Sequence, residues 1–143
     1  MRTRPFVGVW LDHREAFLFW ADEQANVVAE HLKSDYQEVG EPVERATSGG
    51  VGTVGPALPH ASVERRHKEQ LKHYYRELAE ALRDAQHIYL FGHGLAKNEF
   101  VHFLQDHRQL GERVEAVEGV NRMTEPQMIA RVKEFFRLPR AQE

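Results

Sequence analysis

Alternating apolar and polar segments along the chain predict five strands. Residues 6–11 and 16–20 are apolar runs separated by a polar break, which predicts a hairpin of two buried strands. The more polar residues 26–32 predict a third strand near a sheet edge. Residues 87–91, with the sequence HIYLF, form a short apolar run typical of a central strand covered on both faces. Residues 113–117 predict the last strand, so three of the five strands precede any helix.

Apolar residues at helical spacing predict three amphipathic helices. Ser62 is the predicted N-cap of the first helix, which runs for about six turns. Its apolar stripe consists of Val63, His67, Leu71, Tyr74, Tyr75, Leu78 and Leu82. A second helix is predicted from residue 95 to about residue 109. Thr124 and Gln127 have the spacing of a capping box that starts a third helix, which reaches Phe136.

The resulting order, βββαβαβα, predicts an α/β domain of three layers with a mixed five-stranded sheet. Each strand–helix–strand crossover makes parallel neighbours, whereas the opening hairpins make antiparallel ones. With 143 residues the chain has room for one such domain, so we expect residues 1–143 to form it. Residues 33–61 combine glycine, proline and acidic residues without apolar periodicity, and they are expected to form a long flexible loop.

Composition excludes several classes of protein. The absence of cysteine excludes a disulfide framework, a Cys-ligated metal and a thiol nucleophile. No apolar stretch reaches the ~18 residues that a membrane span needs, and we expect a cytoplasmic protein with no membrane partner. The net charge of −3 argues against a nucleic-acid binder that is basic over its whole surface. Charge is nevertheless divided along the chain: residues 63–76 hold five cations and two anions, whereas residues 15–45 hold eight anions and two cations.

Several of these cations share one side of the first predicted helix. At 100° per residue they fall within an arc of about 80° beside the apolar stripe. This set, the basic ridge, consists of Arg65, Lys68, Lys72, Arg76 and Arg83. One hypothesis is a surface that binds RNA phosphates. The alternative is an ordinary solvated helix face with intrahelical ion pairs such as Glu64 to Lys68.

A second candidate site follows the predicted central strand. Gly92, His93 and Gly94 end this strand and open a helix, where free backbone N–H groups and the side chain of Lys97 could hold a phosphate or carboxylate. These four residues are the candidate anion site. The alternative is that the glycines only permit a positive φ in a tight strand-to-helix turn.

The element order is similar to the ribonuclease H-like group of folds, in which the strands are ordered 3-2-1-4-5 and the second is antiparallel. Residues 91–100, FGHGLAKNEF, resemble the Gly-Pro-Gly-Phe-x-Lys-x-x-Phe turn in the middle domain of Pelota and of the archaeal and eukaryotic peptide-chain release factors. His93 replaces the proline of that motif. The opening VWLDHREAFLF and the closing residues 113–136 resemble small bacterial proteins related to this domain and labelled only as translational machinery components.

This resemblance implies a function in translation. Release factors carry a Gly-Gly-Gln tripeptide between the third strand and the long helix, and this chain has Gly49-Gly50-Val51 there. Because peptidyl-tRNA hydrolysis in that family depends on the glutamine, chain-release activity is not expected. Pelota-like relatives also lack the tripeptide and bind ribosomes without hydrolysing the ester. The resemblance therefore implies a non-catalytic factor, without a cofactor, that binds the ribosome or a structured RNA.

Two other classes remain open. Ribonuclease H-like enzymes hold two metal ions with several carboxylates, and Asp12 with Glu64 or Glu69 could supply part of such a set for a phosphoester hydrolase. The matching position after the fourth strand holds no carboxylate, so no metal site is predicted. His13 and His93 lie on turns that could face one side of the sheet as a metal or acid–base pair. The third class is a purely structural domain or one that forms a homo-oligomer.

Overall fold

A computed structural model describes residues 4–35 and 60–139, with side chains of the first helix described from Glu64 onward. The strands are β1 (Phe6–Leu11), β2 (Glu15–Ala21), β3 (Val27–Lys33), β4 (His87–Gly92) and β5 (Val114–Gly119). The helices are α1 (His60–Ala81), α2 (Ala96–Phe103), α3 (Arg108–Gly111) and α4 (Glu125–Phe135), and a 3₁₀ turn, Leu104–Asp106, joins α2 to α3.

The five strands form one mixed sheet in the order β3-β2-β1-β4-β5. β2 is antiparallel to both β1 and β3, whereas β4 is parallel to β1 and β5. The predicted order and the antiparallel second strand are confirmed. So are the edge position of β3 and the interior position of β4, whose apolar residues are covered on both faces as the HIYLF run predicts.

The two faces of the sheet bury different residues because side chains alternate along each strand. One face, with Val9 and Leu90, forms a core with α1 and α2. The other face, with Phe19 and Phe91, packs against α4. At Gly8 an added Cβ would lie 2.2 Å from a methyl carbon of Val132, so the missing side chain lets α4 sit close to β1. The result is the predicted three-layer α/β domain.

Helix ends depart from the sequence prediction. The N-cap assignment of Ser62 is wrong because α1 begins two residues earlier, at His60, and includes Ala61, the best helix-forming residue type. The helix predicted over residues 95–109 is interrupted: α2 ends at Phe103, and the 3₁₀ turn and then His107 separate it from α3. Leu104 and Leu110 would lie about 120° apart on a straight helix. The break at His107, whose φ is −132° and ψ 66°, allows both leucines to be buried.

The capping box of α4 is confirmed: the Gln127 backbone N–H donates to Thr124 Oγ1, and the Thr124 backbone N–H donates to Gln127 Oε1. The bounds predicted for the loop, residues 33–61, are wrong at both ends, since Lys33 belongs to β3 and residues 60–61 belong to α1. Residues 36–59, which include Gly49-Gly50-Val51, lie outside the described residues. Within the described ranges, no helix has the length and apolar character needed to cross a bilayer.

Candidate nucleic-acid interface

The basic ridge lies on the solvent side of α1. Buried Tyr74, Leu78 and Leu82 hold this segment against the sheet, so the opposite side is exposed. Four ridge residues are exposed on that side; they are Arg65, Lys68, Lys72 and Arg76. At 1.5 Å per residue they extend over about 16 Å of the helix axis. The structure therefore brings these four cations together as one surface.

The alternative of a helix face neutralised by ion pairs is not what the described side chains show. From residue 64 onward in α1, the four exposed ridge cations make no ion pair, and the Glu64 to Lys68 pair is absent. An ion pair that α1 does form joins His73 Nε2 to Glu77 Oε2 at 3.1 Å. Within the described residues, the four ridge cations thus face solvent without a carboxylate at ion-pair distance.

Arg83 does not continue the ridge. Arg83 would lie on the same side as the other ridge residues only if the helix continued through residue 83. Instead, α1 ends at Ala81 because the chain turns so that Leu82 and Ala85 are both buried. Arg83 Nη1 donates to Glu80 Oε2 at 2.7 Å. This cation is therefore already paired, and it lies in the turn after the helix.

The glycines of the strand-to-helix turn have structural reasons. An added Cβ at Gly92 would lie 2.2 Å from the carbonyl oxygen of Leu11, so glycine permits close approach of β4 to β1. Gly94 has a φ of +90°, in the left-handed region, with open space around its Cβ position. The Gly-x-Gly pattern alone is accordingly explained by backbone geometry.

Lys97 is the side chain of this turn that calls for a further explanation. It is only 8% exposed, and its Nζ donates to the carbonyl oxygen of Gly94. Among the described residues it has no carboxylate partner. The hydrogen-bond partner of its ammonium group is thus a neutral carbonyl rather than an anion.

A cleft of about 530 Å³ opens beside Lys97. The four candidate residues line one side, and the chain from β5 into α4 lines the other with Gly119, Asn121 and Arg131. The structure therefore brings the four predicted residues together and adds Arg131, which sequence reasoning missed. The sequence places Arg131 next to Val132, a residue of the apolar side of an amphipathic helix, and this was the available signal that Arg131 lies close to the sheet. The sequence alone does not show that α4 lies beside this turn, because that depends on the strand order.

Arg131 is largely neutralised by its own neighbours. Its Nε donates to the Tyr89 hydroxyl at 2.8 Å and its Nη2 to Glu118 Oε1 at 3.1 Å, while the hydroxyl donates to Glu118 Oε1 at 2.6 Å. Burial, and then the bond to Glu118, raise the pKa of Tyr89 to about 12. The Tyr89 hydroxyl, together with Arg131, holds the pKa of Glu118 below its usual value. The net charge of the cleft is therefore close to that of Lys97 alone.

Asp12, a carboxylate candidate for metal binding, has a structural role. Asp12 Oδ1 accepts from the backbone N–H groups of Arg14 and Glu15 at 2.8 and 2.9 Å, which makes it part of the β1–β2 turn. His13 Nε2 lies 2.9 Å from Glu99 Oε1. In the part of the chain that the structure describes, no group of three or more histidine or acidic side chains is placed to hold a metal ion.

Neither a family model nor a curated protein sequence matches this chain. The solved structures that share its fold include two Pelota proteins. Pelota of Archaeoglobus fulgidus is 14% identical, with a TM-score of 0.55 over 90% of this chain and 30% of that one. Pelota of Thermoplasma acidophilum is 16% identical, with a TM-score of 0.54, and the match covers 92% of this chain and 31% of that one. An archaeal translation termination factor is 19% identical, with a TM-score of 0.48, and the match covers 92% of this chain and 39% of that one.

The chain thus spans about a third of the length of the two Pelota proteins. At sequence identities of 14% and 16%, the similarity to the two Pelota structures shows a shared fold. At that level it confirms the resemblance to Pelota that the FGHGLAKNEF turn and the flanking segments predict.

Proposed function

We propose that this chain is a non-catalytic, translation-associated factor that binds the ribosome or a structured RNA in the cytoplasm. The observation that carries the proposal is the basic ridge of α1: four exposed cations, without ion pairs among the described side chains, on one side of a rigid helix. A Pelota-like fold supports a ribosomal partner.

The physical basis is release of counterions from nucleic acid. Each phosphate that a lysine or arginine neutralises releases condensed ions, so affinity falls steeply with salt in proportion to the number of contacts. The whole chain carries a net charge of −3. A polyanion is therefore attracted to the ridge and repelled by acidic parts of the surface, which orients the protein on its partner.

The proposal excludes peptide release. Gly49-Gly50-Val51 occupies the sequence position of the release-factor tripeptide, and valine provides neither an amide nor another group to position water. A metal-dependent hydrolase is less well supported, because Asp12 is engaged by backbone N–H groups of its turn. A structural or oligomer-forming domain would retain the fold and show no RNA binding.

A subsidiary proposal concerns Gly92, His93, Gly94 and Lys97. The buried Lys97, with a neutral carbonyl as its hydrogen-bond partner, supports a site for one small anionic group such as phosphate. Because Glu118 offsets Arg131 across the cleft, we expect this site to be weaker than the ridge.

The experiment compares two quadruple variants that lose the same charge. The ridge variant replaces Arg65, Lys68, Lys72 and Arg76 with Gln, which has a similar helix propensity. The control replaces Lys33, Arg122, Lys133 and Arg137, which lie outside α1, with Gln. Binding to labelled transfer RNA and to ribosomes is measured against salt concentration.

We expect the ridge variant to lose most of its affinity. The salt slope, which is the slope of the logarithm of the binding constant against the logarithm of salt concentration, should fall in magnitude by up to about 3 to 4. Each phosphate contact contributes about 0.7 to this slope for single strands and about 0.9 for duplexes. The control should change the slope by less than about 1. Equal effects of the two variants would contradict a role for the ridge and leave only a general charge effect.

A further inference from the structure

A second basic surface adjoins the C-terminal half of α1. A cleft of about 350 Å³ lies between α1 and α3, and we call it the arginine cleft. Its charged lining consists of Arg76, Glu80, Arg83, Arg108 and Arg113, with His107 at one side. Four arginines against one glutamate leave three positive charges around a single cavity.

Two of the arginines maintain the shape of the cleft. Arg113 Nη1 donates to the carbonyl oxygens of Arg83 and Ala85 at 3.2 and 2.8 Å, and thereby ties the start of β5 to the turn after α1. Arg83 is paired with Glu80. These contacts hold the turn after α1 against the start of β5 without a ligand.

The other two arginines are available to a ligand. Arg76 from α1 and Arg108 from α3 are exposed, and neither guanidinium group has a hydrogen bond or ion pair within residues 4–35 and 64–139. Guanidinium groups bind phosphate through pairs of parallel N–H donors, and two of them on opposite walls can hold one phosphate between them.

The floor of the cleft is apolar. Ala79 and Leu110, at 6% and 8% exposure, line it between the cations. A free inorganic anion would gain nothing from this floor, whereas the sugar and base of a nucleotide would cover it. The lining therefore matches a ligand that joins a negative group to a flat or apolar one.

Arg76 belongs to both surfaces, since it is the last residue of the basic ridge on α1 and a wall of the cleft. We propose that the arginine cleft binds one nucleotide of the RNA that runs along the ridge. The phosphate lies between Arg76 and Arg108, and the sugar or base rests on Ala79 and Leu110. This inference rests on the proposed function and extends it from a phosphate-attracting helix to a defined nucleotide site.

The test uses Arg108→Gln, which leaves the ridge intact, and Arg137→Gln as a control of equal charge. Arg137 follows α4, the helix that covers the other face of the sheet. For labelled transfer RNA we expect Arg108→Gln to weaken binding about tenfold, as for loss of a charged hydrogen-bonded contact. Its salt slope should fall by about 0.7 to 0.9. Arg137→Gln should weaken binding less than about twofold.

A second measurement separates this inference from the proposed function. Uridine 5′-monophosphate is titrated into the full chain, and the backbone amide signals of Ala79 and Leu110 are followed by NMR. We expect both signals to shift in the wild type and to remain still in Arg108→Gln.

If Arg108→Gln binds transfer RNA like the control, the nucleotide site is overturned and the ridge is unaffected. If the wild type binds no RNA, the proposed function fails; shifts of Ala79 and Leu110 with the nucleotide would then still support the cleft, and their absence would overturn it. Displacement of labelled RNA by polyglutamate at equal charge would indicate an acidic protein partner and overturn a nucleotide site.

Discussion

Replacing Gly92 with alanine should destabilise the protein more than the same change at other strand ends. The added Cβ would lie 2.2 Å from the carbonyl oxygen of Leu11, whereas real Cβ contacts stay above 3.0 Å. The obstacle is backbone of the neighbouring parallel strand, so relief requires β1 and β4 to separate at the centre of the sheet. Overpacking of this kind costs about 3 kcal/mol, the upper part of its usual range.

Gly119 provides a matched control because it pairs with Gly92 in the parallel register of β4 and β5. An added Cβ there meets its nearest atom, Lys97 Cε, at 3.7 Å, which is ordinary van der Waals contact. Gly119→Ala should therefore leave stability unchanged or raise it by about 0.4 to 1 kcal/mol through a less flexible unfolded chain. Gly94→Ala should fall between the two, at about 1 to 2 kcal/mol, because its φ is +90° in open space.

Thermal melts followed by circular dichroism measure these differences. For a domain of this size 1 kcal/mol corresponds to roughly 3 to 4 °C, so we expect Gly92→Ala to melt about 10 °C below the wild type. Gly119→Ala should melt at or slightly above the wild-type temperature. A Gly92→Ala variant with wild-type stability would refute the close approach of β1 and β4 and return the glycine to a ligand-binding explanation.

Two other predictions concern the cleft beside this turn. The pKa of Glu118 is lowered from 4.5 by the Tyr89 hydroxyl and Arg131, so its contribution to stability is present above that pH and is lost as pH falls through the folded-state pKa. Between pH 5 and 3 the urea midpoint of the wild type should therefore fall more than that of Glu118→Gln, and parallel curves would show that the network contributes nothing. For the candidate anion site, phosphate at matched ionic strength should raise the melting temperature of the wild type but not of Lys97→Met, which keeps a long apolar stem. Equal shifts would mean that phosphate binds elsewhere.

The sheet was predictable because its signals are local. The apolar run HIYLF has no polar face, so it requires cover on both sides, and β4 lies between β1 and β5. Hairpins fix the antiparallel strands and crossovers fix the parallel ones. The capping box at Thr124 could also be predicted from the sequence, since both of its hydrogen bonds join residues three positions apart.

Features that depend on tertiary packing were missed. Leu104 and Leu110 read as part of one helix, yet burying both required a break at His107. Arg83 matched the ridge only while α1 was assumed to continue past Ala81. The spacing of apolar residues indicates only where a helix can form locally. In both places the burial of leucines in the core determines where the helix ends.

The candidate sites also differ in whether their residues are close together in the sequence. The basic ridge could be predicted because its members share one helix, although only the structure shows that no described carboxylate neutralises them. The arginine cleft joins residues from α1, α3 and β5, with Arg76 and Arg113 lying 37 positions apart in the chain. No spacing rule connects such residues before the topology is known.

The most direct test of the central claim is sedimentation of the protein with purified ribosomes over a range of salt concentrations. We expect the folded wild type to pellet with ribosomes at about 100 mM salt and to return to the supernatant as salt rises toward about 500 mM, since binding depends on phosphate neutralisation. Protein that remains in the supernatant with ribosomes at low salt, while its circular dichroism shows a folded chain, would contradict it.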